Sequence, residues 1–388
     1  MMLIAAVTFW CAVALVLYAY VGYPCALLAL SVFRNRPVRK AEPGSALPRA
    51  TFIITAHNEE ARIAEKIENT LAQDYPPEAL EIIVASDCST DETDEIVRRY
   101  SDRVRLVRSP ERKGKEAAQQ LALQSASGEV LVFSDVATAL APDGVTTMVA
   151  NFADPSVGCV SSIDRFVDAE GQVSGEGAYV RYEMSLRALE TRVNSLVGLS
   201  GSFFAARRKV CQRWSADRQS DFSTLLNSVE MGLRGVLDAR TAGYYRNIAD
   251  DRRELERKIR TVVRGLFVLA THARMLNPRR HGLFAWQLAS HKLCRWLVPL
   301  AMVAAAISNL GLASHSALYS ATLLLQCVFY TAALVGLRTG ARTLRIPAYL
   351  LLANCAVLMA WLRFARGERI ALWNPSDRLT ALPQAGAR

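Results

Sequence analysis

ATFIITAHNEE, residues 50–60, and LEIIVASDCST, residues 80–90, decide the reading of the fold. Each is a short apolar run, rich in β-branched residues, that breaks abruptly into polar ones, the pattern of a strand buried on both faces and ending at a solvated loop. Helical periodicity fills the interval from about Ala61 to Gln73 and returns over Asp91 to Tyr100. VRLVRS, a helical stretch from Gly114 to Ser127, and EVLVFSDVAT continue the alternation. Repeated strand-then-helix units predict an α/β, Rossmann-like domain with a mostly parallel sheet and helices on both faces. Such sheets bind ligands at the carboxyl ends of their strands, and His57, Asn58, Glu59, Asp87 and Asp135 all fall there.

No G-x-G-x-x-G follows the first run and no P-loop occurs, which argues against a dinucleotide dehydrogenase and a P-loop phosphotransferase. The strand ends are acidic instead. Carboxylates delivered to one edge by separate strands suit a sugar hydroxyl, a ribose or base edge, and a divalent cation, because they are hard oxygen ligands and strong acceptors.

Outward from this domain the composition changes. The chain of 388 residues is 51% hydrophobic, with a mean hydropathy of +0.14, too apolar for an ordinary soluble enzyme and too polar for an all-membrane transporter. Met2 to Phe33 carries no charged residue, and a span needs only about 20 apolar residues, so this segment is expected to anchor the chain even with Pro24 inside it. Positive charges follow it at Arg34, Arg36, Arg39 and Lys40, the reverse of a cleaved signal peptide, and predict that the next domain is cytoplasmic. Further apolar stretches cover Trp296 to Leu312, Ala317 to Leu337 and Ile346 to Leu362. Strict alternation of four spans would put Arg363, Arg366 and Arg369 outside, so one segment is expected to be re-entrant or interfacial. Before them, Val262, Val263, Leu266, Phe267 and Ala270 share one helical face, which suits either an interfacial helix or one packed on the domain.

The expected organisation is an N-terminal membrane anchor over 1–36, a cytoplasmic domain over 37–258, amphipathic or interfacial helices over 259–292, C-terminal transmembrane helices over 293–366, and a cytoplasmic or flexible tail over 367–388. These features predict a multi-pass protein of the cell inner membrane. The net charge of +10 clusters beside the apolar segments, so it reads as topology and anionic-lipid contact, with no nucleic-acid partner. The eight cysteines are isolated in sequence and read as free thiols.

TFIITAHNEE, ASDCSTDET, RKGK, GEVLVFSDVAT and SGSFFAARR resemble, in this order, the motifs of the family 2 glycosyltransferases, whose catalytic domain has the GT-A fold. The resemblance covers about Ala50 to Lys258, and SHKLCRWLVP resembles membrane-embedded members that build polysaccharides. It implies that His57 and Glu59 hold the uridine moiety of a nucleotide-sugar, that Asp87 bonds the base, and that Lys115 lies near the diphosphate. Asp135 resembles the first aspartate of the D-x-D motif, which holds Mg²⁺ or Mn²⁺ against the donor phosphates. The third position of that motif is Ala137, a departure that leaves one carboxylate where the family has two. Asp221, in RQSDFSTLL, matches the position of the catalytic base. ELERKIR resembles Q-x-x-R-W, with Glu254 for Gln, Arg257 matching, and Lys258 for Trp, so Arg257 is expected at the leaving diphosphate. Processivity is not implied. Ser200 and Gly201 match the acceptor-site loop, while Glu176, Tyr179 and Glu183 are expected near the membrane entrance.

Each of these has a plainer reading. His57, Glu59 and Asp87 suit solvated loops or helix caps, Lys115 a surface lysine, Asp221 an acid favouring a helix N-terminus, and Arg257 a helix charge. The resemblance implies an inverting transfer of sugar from a UDP-linked donor to a lipid-linked or growing polysaccharide acceptor. The alternative is a catalytically weak relative that acts as an assembly subunit beside polysaccharide export or synthesis subunits, a reading that Ala137 keeps open.

Overall fold

The computed structural model describes residues 1–42, 44–167, 178–246 and 251–369. The chain divides into two compact units, one of Met1–Ala29, Asp250–Phe267 and Leu276–Arg369, the other of Leu30–Ala249 and Val268–Met275.

Among its described residues the second unit has eight strands: β1 (Ala50–Ala56), β2 (Leu80–Ser86), β3 (Val104–Arg108), β4 (Val130–Asp135), β5 (Ala139–Leu140), β6 (Val157–Val167), β7 (Phe203–Arg207) and β8 (Arg234–Arg246). They form one sheet in the order β3-β2-β1-β4-β7-β6-β8-β5. The half from β3 to β4 is parallel, as the strand-helix alternation requires. Beyond it β7 runs antiparallel to both β4 and β6, while β8 lies parallel to β6. The sheet is therefore mixed and mostly parallel.

Every residue of β1 is buried, because the strand is central and alternate side chains enter opposite layers. Phe52, Ile54, Ile82, Val84 and Val132 fill one layer. Ile53, Ile83, Leu131 and Phe133 fill the other, with Ala118 and Ala122 from the helix Lys115–Ser125. Each large apolar side chain so buried is worth roughly 1.5–3 kcal/mol. The register pairs Ala56 with Ser86 and Thr55 with Asp135, so β1, β2 and β4 end level with one another. His57, Asp87 and Asp135 consequently leave the sheet along one edge.

The helix Ile63–Leu71 packs its Ile63, Lys66, Ile67 and Thr70 inward, the i, i+3, i+4, i+7 stripe of an amphipathic helix. Lysine occupies an apolar position of that stripe. In the same unit the basic run after the first apolar helix is engaged by the domain. Arg34 Nε donates to the Val193 carbonyl at 3.0 Å, Arg36 Nη1 to Asn194 Oδ1 at 3.1 Å, and Lys40 Nζ to Asp238 Oδ2 at 2.7 Å. Charges that read as lipid contacts serve here to fasten the chain to the sheet domain.

Among the described residues four helices are long and apolar enough to cross a membrane: Met2–Phe33, Pro278–His315, Ala317–Thr339 and Arg342–Ala365. The second begins well before the expected Trp296, because a π-helical turn, Ala289–Cys294, joins Pro278–Leu288 to Arg295–Leu312. A second π turn, Tyr18–Gly22, precedes Pro24. Wide turns of this kind relieve the clash between a proline ring and the preceding turn. Within the first unit the helix Asp251–Thr271 buries Ile259, Val263 and Leu266; Ala270, in the part of the helix that belongs to the second unit, is exposed. Gly265 admits the Trp296 ring, from which a Cβ would stand 3.1 Å, and Phe267 meets Phe364 edge-on at 4.7 Å. The apolar face thus packs on protein, shifted from the expected set.

Candidate active site

The loops that leave β1 and β2 turn through left-handed backbone at two non-glycine residues, Asn58 (φ 52°) and Cys88 (φ 55°). Such conformations persist where neighbours hold them. Here the two loops are laced together. The Thr90 amide donates to Asn58 Oδ1 at 2.8 Å, the Glu59 amide to Thr93 Oγ1 at 2.8 Å, and the Glu60 amide to an Asp91 oxygen at 3.0 Å. His57 is buried, and its Nδ1 lies 2.7 Å from the Asp87 carbonyl. A carbonyl only accepts, so Nδ1 carries the proton.

Glu59 is buried against Arg62, whose Nε and Nη2 both reach Oε2, at 2.8 and 2.5 Å. Burial pushes the Glu59 carboxyl up to about 7; the Arg62 charge opposes this, and Asp135 and Asp91 add to it. Arg62 Nη1 is buried with no hydrogen-bond partner among the described residues.

Asp87 is fully buried, and the structure gives both its oxygens to backbone. The Lys113 amide donates to Oδ1 and the Gly114 amide to Oδ2, each at 2.9 Å. Gly114 sits at φ 95°, which only glycine adopts readily, and it opens the helix Lys115–Ser125. The carboxylate expected at a base therefore staples the RKGK loop to β2. Substituting Asp87→Ala orphans two amides and is expected to cost about 2 kcal/mol, read as a lower thermal unfolding midpoint accompanied by weaker nucleotide binding.

Lys115 is buried at the head of its helix, and its ammonium donates to Asp135 Oδ1 and, at 3.0 Å, to the Gly201 carbonyl. The Asp135 amide donates to the Ser202 carbonyl at 3.0 Å. A Cβ on Gly201 would stand 3.2 Å from Asp221 Oδ2, so glycine is what lets Asp221 approach this loop. Asp221 lies in the first turn of the helix Ser220–Glu230, and its Oδ2 accepts from Gln219 Nε2 at 3.2 Å. Ser200 and Ser202 both donate to Asp164 Oδ1, at 2.6 and 2.9 Å. Lys115, Asp135, Ser200, Gly201 and Asp221 thus form one cluster, beside the loops of His57, Glu59 and Asp87.

Arg257 belongs to the other compact unit, on the helix Asp251–Thr271, where its carbonyl accepts from Thr261 Oγ1 at 2.8 Å. Glu176 and the side chain of Glu254 lie outside the described residues. Three residues of the site escape motif reading: Arg62, Asp164 and Lys66. Only Lys66 has a signal in the sequence, a lysine at an apolar position of a helical stripe.

Among the described residues no group of three or more His, Cys, Asp or Glu side chains is arranged to hold a metal ion. Asp135 offers one carboxylate, one of whose oxygens accepts from Lys115. Mg²⁺ and Mn²⁺ sites of this type use one or two carboxylates with substrate phosphates and water. The residues present therefore fit a cation completed by a bound phosphate ligand, and not a cage made of protein alone.

Comparison with known proteins bears on this cluster. The family model for glycosyl transferase family 2 matches residues 51–214. The beta-monoglucosyldiacylglycerol synthase of Nostoc sp. is 26% identical over 198 residues, 48% of this chain and 42% of that protein. The glycosyltransferase AglE of Haloferax volcanii is 32% identical over 94 residues, 24% of this chain and 31% of that protein. The chain thus spans less than half the length of these curated relatives. Among solved structures, the mannosyltransferase PcManGT of Pyrobaculum calidifontis, in complex with GDP-Man and Mn²⁺, superposes with a TM-score of 0.74 at 24% identity, over 93% of this chain and 99% of that one. At that identity the likeness is one of fold.

Proposed function

We propose that this chain, a family 2 glycosyltransferase with a GT-A fold, transfers a sugar with inversion from a UDP-linked donor to a lipid-linked or growing polysaccharide acceptor at a membrane. The observation that carries the proposal is the Lys115–Asp135 pair on the Gly201 carbonyl, with Asp221 against the same glycine. It sets one ammonium and two carboxylates around one loop, which supports a site for a charged donor and an acceptor hydroxyl.

In this reading the β1 and β2 loops, with His57, Glu59 and the Asp87-stapled turn, hold the nucleoside. Lys115 faces the diphosphate, and Ser200 and Gly201 form the floor for the acceptor. Asp221 takes the proton of the acceptor hydroxyl as its oxygen attacks the anomeric carbon. The bond from that carbon to the diphosphate breaks in the same displacement, which inverts the centre and releases the nucleoside diphosphate. A divalent cation brought with the donor would have Asp135 as its protein ligand and would screen the leaving diphosphate. The positive charges that follow the first apolar helix support a domain on the cytoplasmic side of the inner membrane.

A second reading, a catalytically weak assembly subunit, is favoured by Ala137 and by the closure of both Asp87 oxygens on backbone. Nucleotide release from a panel of UDP-sugars and GDP-mannose separates the two. The full chain in nanodiscs, supplied with Mn²⁺, Mg²⁺ or a chelator, is expected to release nucleotide from at least one donor. Absence of both release and nucleotide binding in every condition would leave the assembly subunit.

A further inference from the structure

Lys66 has no part in the scheme above, yet it lies directly behind it. Its side chain is fully buried in the inward stripe of the helix Ile63–Leu71. Nζ donates to Ser134 Oγ at 2.8 Å and to the Thr138 carbonyl at 2.6 Å, and stands 5.3 Å from the centre of the Phe52 ring. Ser134 and Thr138 bracket the turn that carries Asp135 and Ala137. One ammonium therefore ties together both ends of that turn. Lys115 reaches Asp135 Oδ1 and the Gly201 carbonyl on the neighbouring strand.

Burying an ammonium is costly unless opposite charge compensates it. Burial lowers the Lys66 ammonium from 10.5 to about 7, and the Asp135 carboxylate acts against that lowering. Two lysines thus flank the Asp135 turn, Lys115 in ion-pair contact with the carboxylate and Lys66 on Ser134 and the Thr138 carbonyl. Where two acids flank a metal, the cation supplies the positive charge that a diphosphate needs. Here one acid is alanine and a second lysine lies beneath.

We propose that Lys66 is a positioning residue for the donor diphosphate: it fixes the Ser134–Thr138 turn and, with Lys115, supplies enough positive charge for a nucleoside diphosphate to bind without a divalent cation. The proposal rests on Asp135 belonging to the donor site.

The test is titration of the full chain in detergent with UDP and with GDP, in EDTA and in Mn²⁺, for wild type, Lys66→Met and Ser134→Ala. Wild type is expected to bind one nucleotide in EDTA within about tenfold of its affinity in Mn²⁺, more weakly as salt rises. K66M, nearly isosteric but uncharged, is expected to lose about tenfold or more in EDTA. S134A removes one hydrogen bond and keeps the charge, and is expected to lose less than about threefold. Wild-type binding that appears only with Mn²⁺, unchanged EDTA binding by K66M, or equal losses in K66M and S134A would each overturn the role of the charge. Should K66M fail to fold, the wild-type EDTA binding and its salt dependence still decide. Failure of wild type to bind either nucleotide in either condition removes the donor site, and both readings with it.

Discussion

Replacing Asp221 by asparagine is expected to lower sugar transfer by roughly 10²–10⁴-fold, the range general-base catalysis contributes, while nucleotide affinity stays within about threefold. Asparagine keeps the size and shape of the side chain and an oxygen able to accept from Gln219 Nε2, which donates to Asp221 Oδ2 at 3.2 Å. What it removes is the proton acceptor beside Gly201. The plainer role of Asp221, an acid in the first turn of the helix Ser220–Glu230, is worth only about 0.3–1 kcal/mol of helix stability. That role would appear as a lower unfolding midpoint with turnover preserved. The two roles therefore separate when turnover, nucleotide affinity and the midpoint are measured on one preparation. Turnover by D221N within tenfold of wild type would move the base elsewhere, and Asp164, which already accepts from Ser200 and Ser202, would be next to examine.

The parallel half of the sheet was legible because its signals are local. Each strand is a short apolar run, each helix is the next periodic stretch, and the polar residues that end a run mark the binding edge. The register of β1 with β2 and β4 then brings His57, Asp87 and Asp135 together, with no information needed beyond strand order. The other half depends on pairings that no local pattern announces. β6 lies beside β8, and the two are separated in sequence by β7 and three helices. Within the site, motif order indicated where Asp87 stands but not what it bonds, since its partners are amides fixed by the backbone of Lys113 and Gly114. Charge was the least readable property. A lysine in a helix ordinarily faces water, whereas Lys66 is buried because Ser134 and the Thr138 carbonyl receive it. Arg34, Arg36 and Lys40 sit where a juxtamembrane run meets lipid headgroups, yet each finds an acceptor on the sheet domain.

The stability of the nucleotide-free protein is expected to pass through a minimum near pH 7, with Glu59 and Lys66 as its two walls. The Glu59 carboxyl is raised from 4.5 to about 7, chiefly by burial, so the folded state binds the extra proton between those values. Its contribution to stability is complete below pH 4.5 and is lost as pH rises through 7. The Lys66 ammonium is lowered from 10.5 to about 7, again chiefly by burial, so here the folded state binds fewer protons than the unfolded one. Its contribution is complete above pH 10.5 and is lost as pH falls through 7. Both side chains are almost wholly buried, and each wall is on the order of 3–5 kcal/mol high. Glu81, Asp91, Asp154 and Asp238 are held below the ordinary carboxylate range, so they act at lower pH. His272, lowered by burial, opposes the acidic wall below 6.5, and for that reason the comparison with variants carries the test. Thermal unfolding midpoints of the full chain at about pH 5, 7 and 9 should fall and then rise. Glu59→Gln should flatten the acidic wall alone, and Lys66→Met the alkaline wall alone. A midpoint that peaks at neutral pH, or variants that track wild type across the range, would show that these two buried charges are not destabilising. Where the minimum is found, each group is about half charged at pH 7, and a bound nucleoside diphosphate should favour the charged form of Lys66 by adding negative charge beside the Asp135 turn.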